Sequence, residues 1–293
     1  MPVKNRPRRS CLYMPGSNTR ALEKARALDA DVLILDLEDA VAPESKVEAR
    51  QSVVKAVSEK VFGYREVIVR INELDSEWGE DDLQAVVAAE PDGVLFPKVV
   101  AADQVKRIDQ SLTESGASEA LGLWVMIEMP LAILHLAAIA EAAQTTRLCG
   151  FVLGTNDLAK EMNCMVTADR LAFLPALSQS VIAARAYGLS VIDGVFNQIG
   201  DDSGLESECL QGLTLGFDGK SLIHPGQLET SNRIFSPSAE AVAQAQAVIS
   251  AFNDPTNKDV GVIKVNGKMT ERLHLEQAEA LVEKAELIAS MTQ

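Results

Sequence analysis

Short runs of β-branched and aliphatic residues recur along the chain. Each is followed by a longer stretch in which apolar positions return every three or four residues. The short runs predict strands at Cys11–Met14, Val32–Asp36, Val67–Ile71, Gly93–Pro97, Leu123–Glu128, Gly150–Gly154, Ser190–Asp193 and Gly219–Ile223. Between them, Thr19–Leu28 and Ser45–Ser58 predict amphipathic helices. Leu131–Ala143 is apolar all round and is expected to be deeply packed, while Asp169–Tyr187 and Leu205–Leu215 are closed by the C-cap signals Gly188 and Gly216. Eight strands alternating with helices over about 240 residues predict an α/β fold, a (β/α)8 TIM barrel. The competing doubly wound sheet would carry a glycine-rich phosphate turn after its first strand, and Pro15-Gly16-Ser17-Asn18 is not one.

Past Pro237 the pattern changes. Ser238–Phe252 is an alanine-rich helix, 253–257 a turn-rich linker, Gly261–Gly267 a small hairpin or strand pair, and Glu271–Met291 a final helix. Residues 1–237 are therefore read as the catalytic barrel. Residues 238–293 are read as a small, mainly α-helical lid extension, too small for a core of its own and expected to pack on the barrel or on a neighbouring subunit.

Composition narrows the function classes. The 293 residues are 47% hydrophobic, enough for a large core, and no apolar stretch reaches the roughly 18 residues of a membrane span. The basic start, Met1 to Arg9, is followed by no apolar segment, so no secretory signal is expected. Four cysteines without a CxxC spacing read as free thiols in a reducing cytoplasm. A net charge of −15 disfavours a nucleic-acid partner and repels anionic substrates, so a site for an anion needs local positive charge.

In a TIM barrel the chemistry lies at the C-terminal ends of the strands. Here those ends carry Asp36, Glu38 and Asp39, Arg70 and Asn72, Lys98, Glu128, Asp157, Asp193 with Asn197, and His224. Any single acid in such a place is commonly a helix cap or a loop ion pair. Asp157 is placed to cap the next helix, and Asp36, Glu38 and Asp39 to bind loop amides. Gathering several carboxylates with Arg70 and Lys98 without a purpose would, however, cost several kcal/mol of desolvation. Carboxylates without Cys or His partners suit a hard divalent ion, and Glu128 and Asp157, on adjacent strands, are the candidate Mg²⁺ ligands. Such an ion polarises a 2-oxo or hydroxy acid and steadies an enolate. Arg70 suits bidentate recognition of a carboxylate. His224, before a proline, reads either as structural or as part of the site.

Seven segments in order carry a family resemblance. They are Leu12-Tyr13-Met14-Pro15-Gly16-Ser17, the run from Leu35 to Pro43, Val69-Arg70-Ile71-Asn72, Pro97-Lys98-Val99, Ile127-Glu128, Gly154-Thr155-Asn156-Asp157-Leu158, and the run from Gly216 to Pro225. Together the chain resembles the HpcH/HpaI aldolase–citrate lyase β-subunit family, and within it the CoA-ester lyases. The resemblance implies Mg²⁺ on Glu128 and Asp157, with Arg70 gripping the carboxylate of a 2-oxo acid. It places Asp36 in the catalytic set, His224 among the substrate contacts, and coenzyme A on Tyr13, Arg20, Lys24, Lys46 and Arg50. Without it, Lys24, Lys46 and Arg50 read equally as helix-surface charge. It further implies a homotrimer or hexamer. Lyases of the family carry a C-terminal Gly-Lys-Met-hydrophobic-Asp whose Asp is the acid/base; here the segment is Gly267-Lys268-Met269-Thr270-Glu271, one methylene longer. Glu271 is thus the expected acid/base. The expected activity is cleavage or formation of a malyl-CoA- or citramalyl-CoA-type ester. Hydrolysis of the thioester, the β subunit of a citrate lyase complex acting on an acyl carrier, and a CoA-free 2-oxo-acid aldolase are the alternatives.

Overall fold

The computed structural model describes residues 6–257 and 260–291. Eight parallel strands pair in sequence order and close into a barrel through the last and first. They are β1 (Ser10–Pro15), β2 (Val32–Asp36), β3 (Glu66–Arg70), β4 (Gly93–Phe96), β5 (Gly122–Ile127), β6 (Leu148–Leu153), β7 (Ser190–Asp193) and β8 (Gly219–Leu222). Helices α1 (Thr19–Ala25), α2 (Lys46–Ser58), α3 (Gly79–Ala89), α4 (Ala102–Glu114), α5 (Pro130–Leu134), α6 (Leu136–Glu141), α7 (Thr155–Met162), α8 (Leu174–Ala186), α9 (Asp202–Leu215) and α10 (Leu228–Phe235) follow the strands. The TIM barrel read from periodicity is borne out, and every predicted strand lies within two residues of an observed one.

Strand side chains alternate between two faces. Cys11, Val32, Ile34, Ile68, Leu95, Trp124, Met126, Val152 and Ile192 pack with the Tyr13 ring as the inner face of the barrel. The alternate residues, among them Leu33, Leu35, Val69, Val125 and Val191, are equally buried on the opposite, helix-facing side. This double burial is why the strands read as continuous apolar runs.

One large side chain fills the lower interior. The Trp124 indole lies where Gly93, Gly122 and Gly150 have no side chain, and a Cβ on Gly150 would come within 2.2 Å of the ring. Arg8 stacks on that ring at 5.1 Å and binds Glu66 through two hydrogen bonds of 2.6 and 2.8 Å.

Two expectations fail. The stretch 131–143 is not one deeply packed helix: it breaks at His135 between α5 and α6, and Leu134 is 80% exposed. The His135 ring instead bonds the Val100 carbonyl at 2.8 Å. The C-terminal region also holds a core. Cα proximity divides the chain into two compact units, one over Arg8–Ile234 and the other from Phe235 on. The second contains α11 (Ala239–Asn253), the antiparallel pair β9 (Val262–Val265) and β10 (Lys268–Glu271), and α12 (Arg272–Met291). Ala245, Val248, Phe252, Ile263, Val265 and Ala278 pack together within it. Cys11, Cys149, Cys164 and Cys209 are free thiols, and no helix among the described residues is long and apolar enough to cross a membrane.

Gly150→Ala forces the indole to shift in a filled interior. It is expected to lower stability by about 1–3 kcal/mol in denaturant unfolding. Unchanged stability would show that the indole has room to move.

Candidate active site at the barrel mouth

The inward alternation places three charged side chains one step above the apolar core. Asp36 follows Ile34, Arg70 follows Ile68, and Glu128 follows Met126. Asp36 and Arg70 are also direct neighbours in the β2–β3 register. All three are buried.

Arg70 is held on several sides. Its Nε donates to Asp36 Oδ1 at 2.7 Å and its Nη2 to Oδ2 at 2.6 Å. Nη1 lies 2.8 Å from Glu38 Oε2 and 3.4 Å from Asp39 Oδ2, and the Tyr13 ring supports the guanidinium at 4.9 Å. Burial opposes the guanidinium's charge, but Asp36, Tyr13 and Glu38 together more than offset it, so Arg70 stays a cation. Asp36 also accepts from the backbone N–H groups of Glu38, 2.9 Å, and Ala40, 3.1 Å. Four donors saturate this carboxylate. In this structure Asp36 thus spends its acceptors on Arg70 and on the loop amides of Glu38 and Ala40.

Glu38 and Lys98 link this pair to the next strands. Lys98 Nζ lies 3.5 Å from Glu38 Oε1 and 3.0 Å from Glu73 Oε1. Burial, with the negative charges of Asp39 and Asp36, pushes the Glu38 carboxyl up to about 7 against the pull of Arg70 and Lys98. Although Glu38 Oε2 is close to Nη1, it is not aligned for a hydrogen bond and has no other donor.

Glu128 accepts the Lys98 backbone N–H at 2.7 Å, with Lys98 in the left-handed region at φ 52°. A Cβ on Gly154 would come within 2.5 Å of Glu128 Oε2, so the glycine opening the loop after β6 makes room for this carboxylate. Burial pushes Glu128 up to about 8; Glu38 and Asp157 add to the effect, and the Lys98 amide and Arg70 oppose it. Asp157 is half-buried in the first turn of α7, whose cap residue is Gly154, so Asp157 is not the helix cap.

The mouth thus gathers Asp36, Glu38, Asp39, Glu73, Glu128 and Asp157 around Arg70 and Lys98, with a third cation, Lys46, on the Leu37 and Glu38 carbonyls. Burial is the main cause that pushes Glu38 and Glu128 up, and a bound cation would favour their charged forms. No group of three or more His, Cys, Asp or Glu gathers as a metal site among the described residues. Two carboxylates with the remaining positions open are, however, what Mg²⁺ accepts. The residues fit the ion.

The other expected contacts diverge. Arg20 and Lys24 are exposed on α1. Tyr13 faces the barrel interior and donates to Met126 Sδ at 3.4 Å, so it supports Arg70 and is not on the outer loop. Lys46 is neither a surface charge nor free for a phosphate: it is 6% exposed, and its ammonium bonds Leu37 O, Glu38 O and Asn72 Oδ1. Arg50 is committed to Asp82 at 2.6 Å and to Asp81 at 3.2 Å. His224, an exposed residue, accepts the Gly226 N–H on Nδ1 at 3.1 Å. Asp193 faces the opposite way from Ile192, into a buried network with Arg170, Lys220 and Glu208, and is outside the mouth. Glu271 belongs to the second unit, exposed at the end of β10, where its N–H donates to His274 Nδ1 at 3.0 Å.

Comparison with known proteins finds relatives over nearly the whole chain. The family described as HpcH/HpaI aldolase/citrate lyase matches residues 9–225. The (3S)-malyl-CoA thioesterase of Cereibacter sphaeroides (strain ATCC 17025) is 44% identical over 97% of this chain and 96% of its own. Citrate lyase subunit beta of Escherichia coli K12 is 34% identical over 97% and 95%. Among solved structures, CitE from Mycobacterium tuberculosis, in complex with magnesium, acetoacetate and coenzyme A, has a TM-score of 0.77. It is 27% identical, covering 97% of this chain and 100% of that one.

The raised Glu128 carboxyl generates a pH test. In an unfolded chain it ionises near 4.5, while in the metal-free folded protein it holds its proton up to about 8. The folded state binds the extra proton across that window, so stability falls as pH rises through it. Glu128→Gln removes that loss. In EDTA the variant and wild type are expected to melt close together at about pH 5, with the variant melting higher at about pH 8.5. A difference that does not grow with pH contradicts the assignment.

Proposed function

The chain belongs to the HpcH/HpaI aldolase/citrate lyase family, and from that premise we propose that it is a Mg²⁺-dependent CoA-ester lyase. It cleaves or forms the carbon–carbon bond of a 3-hydroxyacyl-CoA such as malyl-CoA or citramalyl-CoA, giving a 2-oxo acid and an acyl-CoA. The observation that carries this reading is a fixed, buried guanidinium, Arg70, in one mouth with the carboxylates Glu128 and Asp157. Glu128 and Asp157 hold the ion, which when bound polarises the oxygen on the carbon that becomes the 2-oxo acid.

Arg70 takes the substrate carboxylate. It must exchange Glu38 or Asp39 for it, and Glu38, pushed up to about 7, gives up the guanidinium at low cost once protonated. Asp36 keeps its two bonds throughout and fixes the plane of the fork. In the cleavage direction the 3-hydroxyl loses its proton, the C2–C3 electrons pass into the thioester as an enolate, and C2 takes up a proton. Glu271 is assigned to that last proton, as the family motif implies. Of the five expected coenzyme A contacts, Arg20 and Lys24 keep exposed cations for the phosphates. The exposed His224 remains available to substrate. The reading includes a homotrimer or hexamer in a reducing compartment such as the cytoplasm, where free cysteines persist.

Hydrolysis of the thioester is the second reading. It is favoured by the 44% identity to a protein named as a malyl-CoA thioesterase and by the longer reach of Glu271. Citryl-thioester cleavage as a citrate lyase β subunit is the third. Product analysis by mass spectrometry on malyl-, citramalyl- and citryl-CoA separates them. Equal glyoxylate and acetyl-CoA from malyl-CoA, abolished by EDTA, is the expected result. Malate with free CoA thiol and no glyoxylate would overturn the lyase reading. Arg70→Lys cannot reproduce the fork. Loss of one charge-assisted bond, about 1.5–3 kcal/mol, should weaken binding of the 2-oxo acid roughly 10- to 100-fold.

A further inference from the structure

We infer that Lys46 is a positioning residue for Arg70, acting through the backbone of the loop after β2. The inference rests on the reading above in one respect, that Arg70 receives the substrate carboxylate.

Lys46 opens α2 on its buried stripe, with Ala49, Val53, Ala56 and Val57. Its Nζ lies 2.8 Å from Leu37 O, 2.8 Å from Glu38 O and 2.7 Å from Asn72 Oδ1, one acceptor for each N–H. The two carbonyls belong to the loop whose carboxylates surround Arg70, and Asn72 stands two residues beyond Arg70 on the segment leaving β3. Asn72 Nδ2 donates to the same Leu37 carbonyl at 2.9 Å. One ammonium thus ties together the two segments that meet at the guanidinium.

The coupling to Arg70 runs through one peptide unit. The Leu37 carbonyl and the Glu38 N–H belong to one planar peptide. Lys46 holds its oxygen end at 2.8 Å, and Asp36 Oδ1 accepts from its nitrogen end at 2.9 Å. Rotation of that peptide releases a bond that fixes the Asp36 carboxylate, which in turn fixes the guanidinium. Three acceptors converge on one buried point, and only a cation with three donors satisfies them together. With a neutral side chain Leu37 O keeps Asn72 Nδ2 at 2.9 Å and Glu38 O keeps the Val41 N–H at 3.0 Å, but nothing draws the two carbonyls and Asn72 Oδ1 to one point.

A second layer holds the strut. Asp82, fully buried, accepts Asn72 Nδ2 at 2.6 Å and Arg50 Nε at 2.6 Å. The Trp78 ring covers the ammonium at 5.2 Å. This network anchors the strut in α2 and α3, and Lys46 spends all three donors on protein atoms. Its effect on a ligand is therefore indirect.

The test is Lys46→Met, which keeps length and removes charge. Calorimetry with glyoxylate at saturating Mg²⁺, Mg²⁺ binding alone, and hydrogen exchange of the Glu38 and Ala40 amides are compared with wild type. The expected result is glyoxylate affinity weakened about tenfold or more, Mg²⁺ affinity within about twofold, and both amides exchanging at least about tenfold faster. Glyoxylate affinity within about twofold of wild type, whatever the melting temperature, overturns the inference. Should Lys46→Met fail to fold, Asn72→Ala, which keeps the ammonium but removes one acceptor and one donor to Leu37, is judged by the same affinities. A wild-type protein that binds Mg²⁺ but no glyoxylate refutes the reading of Arg70 instead. The strut then stands or falls on whether the Glu38 and Ala40 amides exchange faster in Lys46→Met.

Discussion

The buried pair between Asp36 and Arg70 is the interaction on which the rest of the mouth depends. Two facing carboxylate–guanidinium bonds, 2.7 and 2.6 Å, fix the plane of a fork that would otherwise carry several rotamers. Breaking such a pair by removing one partner leaves an uncompensated buried charge, typically at a cost of about 3–5 kcal/mol. The pair also sets the charge balance around it. Arg70 draws Glu38 and Asp39 towards the same edge, and this crowding, added to burial, pushes Glu38 up to about 7. A second pole forms across the mouth, where Glu128 is pushed up to about 8 with Asp157 nearby. One pole offers a positive fork to a carboxylate, and the other offers two carboxylates to a cation. The proposed ligands, a 2-oxo acid and Mg²⁺, would complement these two poles.

The alternation of the strands explains why these residues were legible. Asp36, Arg70 and Glu128 each stand two positions beyond an inward apolar residue, so the polar mouth is the continuation of the same pattern that builds the core. The same rule, applied to side-chain direction as well as to strand ends, would have excluded Asp193, which lies next to inward-facing Ile192. Lys46 follows the same rule on a helix. Reckoned as charge it is a helix-surface cation; reckoned by face it lies on the apolar stripe of α2, three residues before Ala49 and seven before Val53.

Other features depended on contacts that the pattern does not specify. Apolar residues all round 131–143 suggested burial, but His135 bonds the Val100 carbonyl and splits the segment. The region after Phe235 looked too small for a core, yet the hairpin presents Ile263 and Val265 to Val248 and Phe252 of α11 and Ala278 of α12. Alternating exposure along β9 is the short-range signal for that arrangement. The left-handed Lys98, whose N–H holds Glu128, had no sequence signal, because lysine is uncommon in that conformation. Backbone conformation of this kind at a strand end is a frequent companion of function.

The central claim is that the mouth is built around a divalent cation on Glu128 and Asp157, facing a fork fixed by Asp36. The most direct measurement is anomalous diffraction from crystals grown with Mn²⁺ and glyoxylate. The account predicts one manganese bound by both carboxylates, with the glyoxylate carboxylate on Arg70 and the Asp36–Arg70 bonds intact. Manganese bound away from Glu128 and Asp157, or glyoxylate ordered without touching Arg70, would contradict it.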